Sequence, residues 1–253
     1  MNLDISKIEF SRNDLRRGIK IPKALSEELA EDVGFHIGDG YMKSRKNEKG
    51  VEIKYDFVYA GHINDDLEYF KSILIPRKKS LFNFNEMKID SIIATNSIRI
   101  RPRSKAVFYF FRDVLDVKES PKDTIKVPKW ILENKKFQVA FLRGIMDSDG
   151  CFTVKRKNYP TISINGKSEK LIKSIGKMLN NFGINHCLYE VNPYEKRTSK
   201  YYKKYCIDIS GSNAIKWVNT IGFNNPKHIR KYNKWAETDS NHRFPAVSSS
   251  KIF

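Results

Sequence analysis

Two aspartates in this chain each close an apolar helical pattern and stand directly before a glycine. The better-marked copy reads Phe141-Leu-Arg-Gly-Ile-Met-Asp-Ser-Asp-Gly150; the other reads Asp32-Val-Gly-Phe-His-Ile-Gly-Asp-Gly40. Small residues recur at every fourth position, Ala30, Gly34 and Gly38 before Asp39, and Ala140, Gly144 and Ser148 before Asp149. Helical positions four apart drift by only about 40°, so each set forms one narrow, smooth stripe. Two such stripes can pack with their backbones close, which would deliver Asp39 and Asp149 to the same end. A carboxylate at a helix C-terminus is opposed by the helix dipole by about 0.3–1 kcal/mol. Two carboxylates about 5 Å apart at an effective dielectric near 20 repel by roughly 3 kcal/mol. A divalent cation between them offsets both terms. Hard oxygen ligands point to Mg²⁺, with Ca²⁺ as a non-productive substitute. The helix-terminal carbonyls of Gly38 and Ser148 lack helical partners and are further candidate ligands. A metal held in this way activates water and stabilises the charge that builds on a phosphate during in-line displacement. Paired carboxylates also serve glycoside hydrolysis, and two ordinary Asp-Gly turns are the plainer alternative.

The charge decides between substrates. The 253 residues carry 47 Lys and Arg against 29 Asp and Glu, a formal net charge of +18, which favours a polyanionic partner, most often nucleic acid, over a sugar. A hydrophobic fraction of 40% describes a globular chain. No run of about 18 apolar residues is present, so a membrane partner is not expected. Three cysteines, Cys151, Cys187 and Cys206, show no paired spacing, and the five histidines are scattered. Neither a disulfide framework nor a structural zinc site is expected. Together with an N-terminus that lacks a secretory pattern, this gives the expectation of an intracellular protein, in a prokaryotic cytoplasm or nucleoid or an organelle matrix.

The elements that must position the aspartates follow from periodicity. Residues 1–24 read as an N-terminal extension with a basic cluster at Arg16, Arg17 and Lys20. Ser26 is suited to cap a helix carrying Leu25, Leu29 and Val33 that ends at Gly38-Asp39-Gly40. Val51–Val58 alternates as a strand, Asn64 opens a second helix, strands are expected near 87–94 and 97–102, and Ser104 caps a helix through Leu115. Residues 116–128 read as a linker. The same order then recurs. Asn134 caps the helix to Asp149, strands follow at 151–157 and 161–165, Ser168 caps a helix, strands lie near 186–192 and 201–209, and Ser212 opens a last helix. The copies are offset by 110 residues at the aspartates, 104 at Asn64 and Ser168, and 108 at Ser104 and Ser212. The pattern is a tandem repeat of one unit, helix–strand–strand–helix–strand–strand–helix, with repeats at 25–115 and 129–238 and a polar, flexible tail at 239–253. The strands carry candidate DNA contacts on their polar faces: Lys54, Arg99, Arg101, Arg103, Lys155, Lys157, Thr161, Ser163, Asn165 and Lys203. Arg and Lys in a major groove read guanine, and Asn reads adenine, while surrounding lysines hold phosphates.

These residues give the chain a resemblance to the LAGLIDADG homing endonucleases of the single-chain, two-repeat, freestanding kind. It rests on Leu142-Arg-Gly-Ile-Met-Asp-Ser-Asp-Gly150, on the weaker first copy, on Pro128-Lys-Trp-Ile131 and on Gly222-Phe-Asn-Asn-Pro-Lys227, and it spans residues 25–238. The resemblance implies an α+β fold of two tandem αββαββα repeats about a pseudo-twofold axis, with the motif helices at the interface and antiparallel sheets forming a DNA-binding saddle. It implies a monomer that makes a staggered, Mg²⁺-dependent cut in a long, partly asymmetric double-stranded DNA site. Asp39 and Asp149 take the positions of the metal carboxylates. Asp147 matches a position that helps hold the helix ends together, with Ile37 as its counterpart. Lys167 matches a catalytic basic residue before the second helix of a repeat; in the first repeat Ile63 stands there, with His62 beside it as the candidate. An RNA maturase assisting intron splicing, or a cleavage-inactive DNA binder of the same fold, is the alternative implied.

Overall fold

The computed structural model describes residues 2–155, 159–196 and 198–238, which places Lys157 and the 239–253 tail outside the described residues. Short helix α1 (Arg12–Arg16) precedes α2 (Glu27–Asp39), strands β1 (Gly40–Lys46) and β2 (Glu52–His62), and α3 (Ile63–Tyr69), which continues through a π-turn at Phe70–Leu74 into α4 (Ile75–Phe82). Strands β3 (Asp90–Ile92) and β4 (Ser97–Ile100) lead to α5 (Lys105–Tyr109), which also runs on through a π-turn, Phe110–Val114. After α6 (Lys129–Leu132) the order repeats: α7 (Lys135–Ser148), β5 (Gly150–Lys155), β6 (Tyr159–Gly166), α8 (Glu169–Asn181), β7 (Cys187–Val191), the small hairpin β8 (Tyr194–Glu195) and β9 (Lys200–Tyr201), β10 (Lys204–Ser210), α9 (Ser212–Thr220) and α10 (Pro226–Glu237).

Each half builds one four-stranded antiparallel sheet, β1-β2-β4-β3 in the first and β5-β6-β10-β7 in the second. The expected α+β architecture is present. Local chemistry sets the helix starts: Ser26, Ser104, Asn134 and Ser168 each accept a backbone N–H in the first turn, satisfying donors the helix itself cannot. Two expected caps differ. Gly211, at φ 61°, precedes Ser212 as the helix boundary, and α3 begins at Ile63 rather than Asn64, because the Asp66 carboxylate accepts the His62 N–H at 2.8 Å.

The first half is cored by aromatic rings, with Phe35, Phe57, Tyr59, Phe70, Phe82 and Phe111 all buried. The second is centred on Phe152, Trp217, Phe223 and Tyr232. Packing also fixes the two segments expected to be peripheral. The N-terminal segment puts Ile19 and Ile21 into the core and bonds Lys20 N to Phe82 O at 3.1 Å. In the 116–128 segment Val117, Ile125 and Val127 are buried, and Ser120 N donates to Met42 O at 2.8 Å. Helix α10 carries Ile229, Tyr232, Trp235 and Ala236 on its buried face at spacings of three, three and one. That helical spacing is present in the sequence, where no helix is expected after the one opened at Ser212.

Helices α2 and α7 pack directly on each other, and the small residues are why. A Cβ added to Gly34 would sit 2.3 Å from the Phe141 carbonyl oxygen, one on Gly144 2.1 Å from that of Glu31, and one on Gly38 1.9 Å from Ser148 Oγ. All three distances are far inside van der Waals contact; at Gly34 and Gly144 backbone meets backbone, and at Gly38 the Ser148 side chain fills the space, only because side chains are absent there. Asp39 and Asp149 leave the paired helices together, each one residue ahead of a first sheet strand.

Candidate functional site

Asp39 is the last residue of α2 and Asp149 the C-cap of α7. The glycines that follow them serve close approach. Gly40 has an extended backbone, φ −79° and ψ 153°, and a Cβ there would lie 2.3 Å from His36 Nδ1; at Gly150 it would lie 2.4 Å from Met146 Sδ. Burial, then the charge of Asp149, then that of Asp66 push the Asp39 carboxyl up to about 7, against the opposing pull of Lys122 and Lys227. Burial likewise raises Asp149, and Lys122, Lys204 and Lys227 oppose it. Asp149 keeps an exposed face toward solvent. Among the described residues no hydrogen bond reaches either carboxylate. The pair is therefore two crowded anions with unused oxygen lone pairs.

Three lysines supply the positive charge around this pair. Lys122 is largely enclosed, which lowers its pKa, while Asp149 and Asp39 act to raise it; its Nζ donates to the Gly38 carbonyl oxygen. Lys227 pairs with Asp66 at 2.7 Å, and Lys204 opens β10. None of the three was singled out in the sequence. A signal existed, since Lys122 and Lys227 each follow a proline, Pro121 and Pro226, beyond the last helix of the repeating unit. They lie 105 positions apart, against 110 for the aspartates.

The residues expected to act as bases sit elsewhere. Lys167 is exposed at the end of β6 with its ammonium 4.7 Å from the Tyr202 ring centroid, and it is absent from the charges that shift either aspartate. His62 is partly exposed and faces Asp65 at 3.6 Å; its backbone, not its ring, meets Asp66. Of the expected carbonyl ligands, that of Gly38 is bonded to Lys122. Ser148 is buried, with its hydroxyl donating to Gly144 O and Ile145 O at 3.0 and 3.1 Å. Asp147 is wholly buried but does not bridge the helix ends. Its carboxylate accepts from the backbone N–H groups of Asn224 and Asn225 at 2.8 Å each, which fixes the start of α10. Burial and the charge of Glu31 push it up to about 7.

The candidate DNA contacts divide by environment. Lys54 and Lys155 are exposed on β2 and β5, facing Asp56 at 3.6 Å and Asp208 at 3.3 Å. Arg99 lies on β4 and Arg101 just past it, where Arg101 bonds Asp90, while the exposed Arg103 offers its head group to solvent. Ser163 donates to Asp208 at 2.6 Å, and Asn165 is half-buried. Thr161 is fully buried. Its alternation with Ile162 was correct, but neighbouring packing covers it and leaves its hydroxyl 3.3 Å from Ser210 Oγ, so it cannot meet a groove. Lys203 stands in the turn before β10, paired with Glu190 at 3.2 Å, rather than on a strand face.

The LAGLIDADG-like domain model matches residues 136–222. Over 191 residues the chain is 25% identical to homing endonuclease I-DmoI of Desulfurococcus mucosus, covering 75% of this chain and 84% of that protein. The chain is similar to LAGLIDADG homing endonucleases. A replication factor C small subunit of Methanocaldococcus jannaschii is 28% identical over 207 residues, 81% of this chain but 10% of that protein. Among solved structures, I-DmoI in complex with DNA and Ca superposes with a TM-score of 0.55 at 22% identity, covering 79% of this chain and 93% of that one. I-DmoI with DNA and Mn gives 0.54 over 78% and 96%. These likenesses show the fold, a mixed α+β architecture with antiparallel sheets like that of single-chain LAGLIDADG homing endonucleases.

Proposed function

We propose that this chain is a divalent-metal-dependent endonuclease that hydrolyses phosphodiester bonds in double-stranded DNA at a long, partly asymmetric site. The observation that carries the reading is the Asp39–Asp149 pair: two carboxylates brought together by helix packing, without hydrogen-bond donors among the described residues, under the charges of Lys122, Lys204 and Lys227. Such a pair suits a metal. Mg²⁺ typically takes one or two carboxylates and fills its remaining positions with water and substrate phosphate, and no third His, Cys, Asp or Glu joins the site among the described residues. The relatives' complexes with DNA and with Ca or Mn support divalent-ion use, and Mg²⁺ is the proposed physiological ion. When bound, the ion would lower the pKa of water and neutralise charge on the phosphate.

The chain's own residues then have separable tasks. Asp39 and Asp149, one from each repeat, would hold the cation. Lys122 and Lys227 place ammonium groups beside them, suited to stabilising the phosphorane-like charge or a leaving oxygen. Lys54, Arg99, Arg101, Arg103 and Lys155 present cations from the two sheets, with the repeats divided near 25–115 and 129–238. Asp39→Asn or Asp149→Asn should abolish cleavage of the target with Mg²⁺ while duplex binding persists. Full cleavage by both single variants would remove the proposed centre.

A further inference from the structure

Beside β2, away from the carboxylate pair, lies a groove of about 740 Å³ walled on one side by the N-terminal segment. Its origin is a broken ladder. Strand β4 pairs with β2 only from Ile100↔Tyr59 to Ser97↔His62, and Pro102 then follows, with no N–H to continue the pairing. The edge of β2 over residues 53–58 is thus left open on the side away from β1. The N-terminal helix α1 lies across the gap, and the groove is lined by Arg16, Arg17, Lys54, Arg101, Arg103 and Lys105, with Asp56 as the acidic residue on its wall.

The arm that brings Arg16 and Arg17 there is fixed in place. Asp14 is wholly buried; it accepts from Ser11 N and Oγ at 2.9 and 2.7 Å and from Ala106 N at 3.3 Å. Its carboxylate thereby joins α1 to the first turn of α5, immediately past the Arg101–Arg103 segment. Arg17 is committed to this joint, donating to Asp14 and to the Arg103 carbonyl. Lys105, Arg101 and Lys54 face Glu9, Asp90 and Asp56. The guanidinium groups of Arg16 and Arg103 have no ion-pair partner among the described residues, and both residues are exposed.

We infer that the N-terminal segment is part of the DNA interface, and that this groove seats the phosphodiester backbone at the outer flank of the site covered by the first repeat, with Arg16 and Arg103 as its phosphate contacts. The inference rests on the proposed DNA-binding function. Planar guanidinium forks and open backbone N–H groups are the donors that suit phosphate oxygens. The groove also shares Lys54, Arg101 and Arg103 with the cationic sheet face, so a duplex on that face has a continuous path into it. Contacts of this kind position DNA without reading its bases.

Point variants are the appropriate test, because removing the segment would also remove Ile19 and Ile21 from the core. Equilibrium binding of the full chain to duplex DNA is measured across a salt series for the wild type, Arg16→Ala, Arg16→Ala with Arg103→Ala, and Lys173→Ala. The last removes a surface cation of α8 far from the groove in sequence and paired with Glu169. The log–log salt slope should become shallower by about 0.9 for Arg16→Ala and by about 1.8 for the double variant, to the same extent on target and unrelated sequence, and stay unchanged for Lys173→Ala. Unchanged slopes in the two groove variants, with wild-type DNA binding intact, would overturn this inference alone; absence of salt-dependent binding by the wild type would overturn the functional proposal beneath it. Matching thermal midpoints confirm that the variants are folded.

Discussion

At the scale of single residues, the site depends on lysines as much as on aspartates. Lys122 and Lys227 lie within electrostatic reach of both carboxylates, whereas Lys167 sits over Tyr202. Lys122→Met should therefore slow cleavage on the order of 10²-fold, the usual cost of one transition-state donor, while leaving Kd within a few-fold; Lys167→Ala should change single-turnover cleavage far less. A larger rate loss from Lys167→Ala would reverse the assignment. His228 gives a prediction for stability. It is buried, and among the described residues neither ring nitrogen makes a well-formed hydrogen bond; burial, then Lys227 and Lys231, lower its pKa from 6.5 to about 3 against the weaker opposing pull of Asp66 and the Met146 backbone. The unfolded chain binds that proton in a range where the folded chain does not. The stabilising difference is thus complete above pH 6.5 and is lost as pH falls toward 3, by up to about 1.4 kcal/mol per pH unit. His228→Phe should flatten this part of the urea-midpoint profile, and an unchanged acid limb would show that other groups control it.

At the scale of elements, the contact between α2 and α7 is set by missing side chains. A methyl on Gly144 would lie 2.1 Å from the Glu31 carbonyl oxygen. Backbone cannot yield as a flexible side chain can, so Gly144→Ala should destabilise by at least the about 1–3 kcal/mol of core overpacking and should displace Asp149 relative to Asp39. Calorimetry and cleavage assays on the variant check both effects; a melting temperature equal to wild type would show that the helices are free to separate. Around this contact Glu31 on α2 binds Arg77, Arg143 (2.9 Å) and Asn224 (2.7 Å). Two helices and the start of α10 thereby share one buried carboxylate. Since breaking a buried pair leaves an uncompensated charge, this network favours one relative placement of the repeats over alternatives.

At the scale of the whole molecule, the two repeats are joined a second time through α10. Lys227 reaches Asp66 and Arg230 reaches Glu68, both on α3 of the first repeat. A cation shared by Asp39 and Asp149 would add a third link, and binding only to the folded state raises stability by linkage. Ca²⁺ at about 100 times its Kd should therefore stabilise the wild type by about 2.7 kcal/mol, read as a rise in thermal midpoint. Asp39→Asn and Asp149→Asn should each lose most of that rise, and a full shift in either variant would place the ion elsewhere.

Much of this was legible in the sequence because it is periodic. The Asp-Gly motifs, the stripes of Ala30, Gly34 and Gly38 and of Ala140, Gly144 and Ser148, the serine and asparagine caps and the strand alternation are local patterns. Local patterns determine elements and, repeated at about 110 residues, the duplicated α+β plan. The sequence also marked out the two acidic helix ends and the cationic strands. Tertiary structure alone decided which cations meet the aspartates: Lys122 and Lys204 reach them from the expected linker and an expected strand, and Lys227 from the first turn of α10, where no helix is expected. It also decided that Asp147 holds α10 and that Thr161, polar and correctly phased, is covered. The physical reason is that burial and electrostatic neighbourhood are set by elements distant in the chain, whereas periodicity reports only which side of its own element a residue occupies.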